Sequence, residues 1–223
     1  LETDQHVKTV LKKAGGHEGE LRQQGMVYLA GEDTRESMVH ENGVRLYVNV
    51  EDVYYSIRLG TDRNRIMKLV GDGEDILCMF SGLGPYPVVL KKNTDANRVV
   101  GVELNKKGHE LALRNAELNK VDVELYNGDV GEIVPKIEGL FDRITMPLPH
   151  TGVEFLPVAL EKVKLGGTVH YYCFLDKEDM TEEIARIEKL VEDSGKKTSS
   201  IEPHICGQHS PSRYRICFDI TLC

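Results

Sequence analysis

The residues that could do chemistry in this chain gather where apolar runs end. The run 76–80 gives way to Ser81-Gly82-Leu83-Gly84-Pro85, and a second run, 99–104, carries Glu103 near its end. Strand, glycine turn, crossover and a strand ending in an acid form the layout of a nucleoside-binding βαβ unit. Glycine has no Cβ, so backbone at the turn can approach a ligand closely. An acid at the second strand's end can accept hydrogen bonds from both ribose hydroxyls. The turn is not G-x-G-x-x-G: Pro85 stands where the helix should start, which leaves little cradle for a pyrophosphate. The pattern favours a ligand with a ribose and no phosphate bridge, such as S-adenosylmethionine; the bland alternative is a glycine turn that binds nothing.

Ligands of open α/β sheets sit beyond the carboxyl ends of the strands. Those positions also hold Asn105, Asp129 and Pro147-Leu148-Pro149. Asp129 suits the exocyclic amine of adenine, although alone it reads as a helix cap. Pro-Leu-Pro lacks an N–H at two positions and makes a stiff lip whose carbonyls can face a planar substrate, or merely a rigid loop. Upstream, Arg58, Asp62, Arg63, Arg65 and Lys68 crowd together. Such a run is ordinarily a solvated helix face. A helix leading into the first strand ends near the glycine turn, however, and Asp62 beside arginines is a candidate general base. Arg22 reads by itself as a surface arginine. His40, His150, His170 and His209 lack metal-ligand spacing, so no metal is expected; His170, inside a strand-like run, reads as a core histidine.

The elements that must position these residues alternate from residue 75 onward, which predicts a largely parallel sheet. Strands are expected at 76–80, 99–104, 123–126, 142–146, 168–174 and 216–221. Helices are expected at 106–119, 151–163 and 181–193, the last with a weakly spaced capping box at Thr181 and Glu183. Before them, 5–14 reads as a short helix ended by Gly15-Gly16, and 26–30 as a strand. Residues 37–39 and 44–50 read as a hairpin around Glu41-Asn42-Gly43. Thr61 is expected to cap a helix at about 62–70. The organisation is then a small α+β unit (1–55), a connecting segment and helix (56–70), and an α/β domain (71–223).

The 223 residues carry a net charge of −8 and are 40% hydrophobic, enough for a packed core and against disorder. An acidic chain does not advertise nucleic-acid binding, so any such contact must come from a local basic patch or another part of the protein. Five cysteines without a C-x-x-C pair read as reduced thiols of a cytoplasmic protein. No run has membrane length and no signal peptide is visible. The chain begins at Leu1 and not Met, which reads as a fragment from which an N-terminal domain could have been removed, or as a short variant.

Taken together, HVKTVLKKAGGHEGELR, LAGEDTRESMVHENGVRLYVNVEDVYYSIRLGTDRNRI, MFSGLGPYP, VVGVELN, NGDV, MPLPH and SPSRYRICFDI resemble the archaeal and eukaryotic tRNA (guanine-37-N1)-methyltransferases. The wybutosine-pathway aminocarboxypropyltransferases share the architecture and cofactor. The resemblance implies a Rossmann-like class I methyltransferase with a mostly parallel seven-stranded sheet, preceded by a small α+β subdomain that helps hold the anticodon loop. It implies a monomeric enzyme that methylates N1 of guanine 37 in tRNA, with S-adenosylmethionine as cofactor. A further N-terminal tRNA-binding domain, usual in the family, is expected to be missing here.

Carried over by motif, Glu103 and Leu104 would hold ribose and adenine, and Asp129 and Val130 would contact adenine. Arg63, Phe80, Gly82, Gly84, Pro85 and Pro147 complete the expected cofactor site. Asp62 would be the general base, with Pro149 at the catalytic lip and Arg22 hydrogen-bonding guanine O6. The chain departs from the family pattern in three places: Asp62 stands for the usual Glu, Cys78 for an acid, and Pro147 for an Asn. Two other functions therefore stay open, aminocarboxypropyl transfer and a SAM- and tRNA-binding module without catalysis.

Overall fold

The computed structural model describes residues 7–16, 19 and 23–223. Its centre is β5 (Asp75–Met79), whose Ile76, Leu77, Cys78 and Met79 are fully buried. A strand apolar on both faces must be covered on both faces, as a parallel sheet between helices requires. β5 pairs in parallel with β6 (Arg98–Glu103) on one side and β8 (Phe141–Met146) on the other. β7 (Glu124–Asn127) extends the sheet beyond β6. Beyond β8 come β9 (Val163–Asp176), then β11 (Arg213–Leu222), antiparallel to it, and β10 (Thr198–Gln208) at the edge. The seven-stranded order is β10-β11-β9-β8-β5-β6-β7. The chain reverses its winding between β5 and β8, the switch point where such sheets open a crevice.

Helices α1 (Gly60–Leu69), α2 (Pro85–Asn93), α3 (Lys106–Asn119), α4 (Val130–Ile133), α5 (Leu156–Lys162) and α6 (Met180–Asp193) flank the sheet. Two sequence-based caps differ. α1 continues a 3-10 turn at Ile57–Leu59, and Gly60 N–H bonds Ile57 O, so Thr61 lies inside the helix and caps nothing. At α6, Glu183 turns inward and accepts from Tyr171 OH at 2.9 Å, and no side chain caps the helix.

The expected helix at 5–14 is instead, over its described part, strand β1 (Thr9–Lys13), paired antiparallel with β2 (Met26–Gly31). An isolated helix that short is marginal in water, and β-branched Thr9 and Val10 suit a strand. The hairpin of β3 (Glu36–Glu41) and β4 (Val44–Asn49) turns at Asn42-Gly43, both with positive φ, as its Asn-Gly pair predicts. β4 buries Val44, Leu46 and Val48 against Leu83, Val88 and Val89 of the α/β unit. Two α3 asparagines complete the seam. Asn119 accepts from Arg45 N (2.9 Å) and donates to Arg45 O (2.7 Å). Asn115 does the same for Tyr47 (2.7 and 3.1 Å). One helical turn apart, the two side-chain amides pair with strand residues two apart and stand in for a neighbouring strand.

Candidate active site

A cavity of about 640 Å³ opens beyond the carboxyl ends of β5, β6, β7 and β8. Glu103 forms its floor. One carboxylate oxygen accepts from Gly82 N at 2.6 Å and the other from Asn105 N at 2.8 Å. Burial pushes the Glu103 carboxyl above its ordinary range, against the pull of these backbone N–H groups. The acid thus ties the glycine turn to the end of β6 while facing the cavity. Gly82 has φ +56, and a Cβ there would stand in open space; Gly84, at φ +82, would press a Cβ to 3.0 Å from Ala112 Cβ. Gly82 therefore keeps the cavity clear, whereas Gly84 permits packing of α2 on α3. Phe80 also has a positive φ, 54°, and meets Phe155 edge-on with centroids 5.1 Å apart. A non-glycine residue in that region costs about 1–2 kcal/mol, and such strain clusters at functional sites.

Asp129 is both the α4 cap, accepting from Gly131 N at 2.7 Å, and a wall residue of the cavity. Leu104, Val130, Phe80 and Phe155 supply apolar walls, and Pro147 and Leu148 the opposite lip. The donor set fits a nucleoside with a non-phosphorylated tail: an acid at the sugar position, an acid near an adenine edge, apolar surfaces between, and no phosphate cradle. Size and chemistry match S-adenosylmethionine.

Other expected site residues lie elsewhere. Pro149 is buried, and neither it nor Gly84 or Pro85 lines the cavity; Pro85 starts α2. Arg22 lies outside the described residues. Arg63, expected at the cofactor, is buried against Glu41, donating at 2.6 and 2.5 Å, and also reaches Ser56 O. It rivets the β3–β4 hairpin to α1. Asp62, expected as the base, is also off the cavity wall. Its Oδ1 accepts from Arg65 Nε at 2.8 Å and its Oδ2 from Tyr172 OH, which in turn bonds Tyr86 OH at 2.7 Å. The one-methylene side chain of aspartate ends in this buried layer, with oxygens already engaged. Cys78 sits in the apolar cluster of Ile66, Ile76, Tyr86 and Leu90, and burial pushes its thiol up to about 12. The Cys78 departure therefore falls beneath the cavity and not on its wall.

From Asp62 a continuous, largely buried chain of polar groups runs on through the sheet. Arg65 donates to Asp219 (2.6 Å), Asp219 meets His170 Nδ1 (2.7 Å), His170 Nε2 meets Arg143 (2.8 Å), and Arg143 pairs with Glu74 (2.8 Å). Because Arg143 can only donate, His170 accepts at Nε2 and carries its proton on Nδ1. The core-histidine reading fits this placement. His170, Cys217 and Asp219 bring metal-ligand atoms within 4.8 Å of one another. Arg65 already serves Asp219 there, as the cluster's cation.

Sequence reasoning missed Val53 and Tyr54 from the loop after β4, and His150, Glu154 and Phe155 after β8, as cavity residues. The Tyr54-Tyr55 pair and the aromatic beside the Pro-Leu-Pro lip were the available signals.

Sheet order, switch-point cavity and acid-anchored glycine turn define a Rossmann-like protein of the class I methyltransferase type. The chain belongs to the TRM5/TYW2 methyltransferase domain family, which matches residues 37–200. It is 35% identical, over 100% of its length, to tRNA (guanine(37)-N(1))-methyltransferase Trm5b of Pyrococcus abyssi, covering 66% of that protein. The crystal structure of P. abyssi Trm5b superposes with a TM-score of 0.89 over 99% of this chain and 66% of that one, at 34% identity. A complex of aTrm5 and tRNALeu matches with a TM-score of 0.84 at 31% identity, over 96% of this chain and 60% of that one. Nanoarchaeum equitans tRNA (guanine(37)-N(1))/4-demethylwyosine(37)-methyltransferase Taw22 is 27% identical over 100% of this chain and 91% of its own length. The chain spans 66% and 60% of the lengths of Trm5b from P. abyssi and from Methanocaldococcus jannaschii.

Proposed function

We propose that this chain transfers a methyl group from S-adenosylmethionine to N1 of guanine 37 in the tRNA anticodon loop. The observation that carries the reading is the cavity, in which Glu103, braced by Gly82 N and Asn105 N, faces Asp129 across apolar walls. Family membership and the names of relatives supply the acceptor. When bound, S-adenosylmethionine supplies an electrophilic methyl on sulfonium. Glu103 would accept from the ribose hydroxyls and Asp129 from the adenine amine. Leu104, Val130, Phe80 and Phe155 would enclose the adenine and exclude water, which strengthens both polar contacts.

Guanine N1 carries a proton and attacks poorly until that proton leaves. Arg22 is the proposed donor to O6, where negative charge collects as N1 is deprotonated. Losing such a donor lowers kcat by about 10²–10³-fold, so Arg22→Ala should do so while S-adenosylmethionine affinity holds. Asp62, at the family's base position, is the proposed acceptor of that proton, its oxygens exchanging the Arg65 and Tyr172 contacts they hold here for guanine N1. Asp62→Asn is expected to abolish transfer while S-adenosylmethionine affinity holds. Loss of transfer and cofactor affinity together would contradict the base role of Asp62.

The deciding assay incubates tRNA transcripts carrying or lacking G at position 37 with the cofactor, followed by mass analysis of the nucleosides. Gain of one methyl, dependent on G37, is expected. Gain of an aminocarboxypropyl group, or calorimetric cofactor binding with no transfer to any tRNA, would overturn the reading.

A further inference from the structure

The rim of the cavity carries a group of rings that the nucleoside reading does not use. His150 lines the cavity, and its ring centroid lies 4.9 Å from that of Phe174. Phe174 lies 4.3 Å from His209, and the two imidazoles meet each other edge-on with centroids 6.5 Å apart. Phe174, on β9, is buried, whereas both imidazoles are exposed. His209 sits in the turn between β10 and β11, which is closed by His209 N bonding Arg213 O at 2.8 Å. The exposed Arg213 donates to Phe174 O at 3.2 Å. The Arg215 guanidinium stands 5.0 Å from the Phe174 centroid and donates to Tyr54 OH, on the cavity wall, at 3.3 Å.

Two exposed imidazoles set edge-on to each other beside a buried phenyl ring, with guanidinium groups at the margin, have a definite chemistry. An unpaired nucleobase stacks on such a surface whatever its identity, and its phosphate meets the arginine fork. Within a chain of net charge −8, arginines grouped at one rim provide the local basic patch that an RNA contact needs. His150 belongs to the ring cluster and to the cavity wall, and Arg215 ties the cluster to Tyr54. A nucleotide stacked here therefore lies directly beside whatever base enters the cavity.

We propose that the His150–Phe174–His209 cluster, edged by Arg213, is a stacking platform on whose exposed His209 ring lies a single-stranded RNA nucleotide adjoining the acceptor base. The proposal rests on the RNA-directed reading above. Its test uses His209→Ala and His209→Phe in the full chain, with fluorescence anisotropy of an anticodon stem-loop, calorimetry of S-adenosylmethionine, thermal melting and methyl-transfer kinetics. His209→Ala should raise stem-loop Kd and the KM for tRNA about tenfold, the scale of one base–ring stack. Cofactor affinity and melting temperature should hold, and kcat should change far less than KM. His209→Phe should restore RNA affinity, because a phenyl ring stacks without needing charge. Arg213→Gln should reduce the salt slope of RNA binding by about one phosphate contact. Unchanged Kd and KM in His209→Ala would overturn the platform while methyl transfer by the wild type left the enzymatic reading standing. Failure of His209→Phe to rescue, or a loss of cofactor affinity or melting temperature in His209→Ala, would also overturn it. If the wild type methylates no tRNA, the stem-loop Kd of the same variants still decides the question.

Discussion

At the residue scale, Glu103 does two jobs with one carboxylate, holding backbone N–H groups and facing the cavity. Glu103→Ala should weaken S-adenosylmethionine at least about tenfold, the scale of one charge-assisted hydrogen bond; calorimetry reads this, and unchanged affinity would contradict the ribose role. The two turn glycines should separate by readout. Both lose about 1–2 kcal/mol on substitution by Ala, because both hold a left-handed backbone. Gly84→Ala should melt lower still, since its methyl meets Ala112, whereas Gly82→Ala should chiefly lose cofactor affinity. The buried polar chain sets acid sensitivity. Burial lowers the His170 pKa, helped by Arg143 and Arg65 and opposed by Asp219. Burial alone would raise Asp219, but the His170 and Arg65 contacts draw it well below the usual carboxylate range. Both groups bind protons more readily in the unfolded chain, so stability should fall as pH drops below about 6.5 and again below about 4. Thermal melts across that range check it, and Asp219→Asn should flatten the lower step.

At the element scale, the β3–β4 hairpin depends on the asparagine rungs of α3. Asn115→Ala leaves the N–H and C=O of Tyr47 without these partners and should cost about 1–3 kcal/mol in urea unfolding, with faster amide exchange at Tyr47. An unchanged midpoint would mean that water replaces the rung. The hairpin was legible because Asn-Gly demands its turn, and α3 because its apolar spacing is helical. β10 was not legible: its residues include Pro203 and Gly207 and stay half-exposed at a sheet edge, so no apolar run marks it. β1 misled because VKTVLKKA carries helix-compatible spacing, while its partner strand lies well downstream in sequence.

At the scale of the whole molecule, the positions of Glu103, Gly82, Asp129 and Pro147 around one cavity could be read from the ends of apolar runs, because a parallel sheet aligns those ends. Asp62 and Arg63 could not be placed that way. Adjacent on one helix, they point into different buried pairs, and their partners Glu41 and Tyr172 come from distant stretches of chain. On the proposed function, salt should modulate RNA affinity less steeply than in strongly basic RNA binders, since few cations among the described residues face the rim; a log–log slope above about 6 contacts would contradict this count. The Glu41–Arg63 rivet and the asparagine rungs have a mechanical consequence. The hairpin cannot swivel as a loose jaw without stranding a buried guanidinium and four backbone groups. If the proposed function holds, an adaptor loop presenting its base here meets a rim already set, and the bending needed for the two surfaces to mate falls to the nucleic acid.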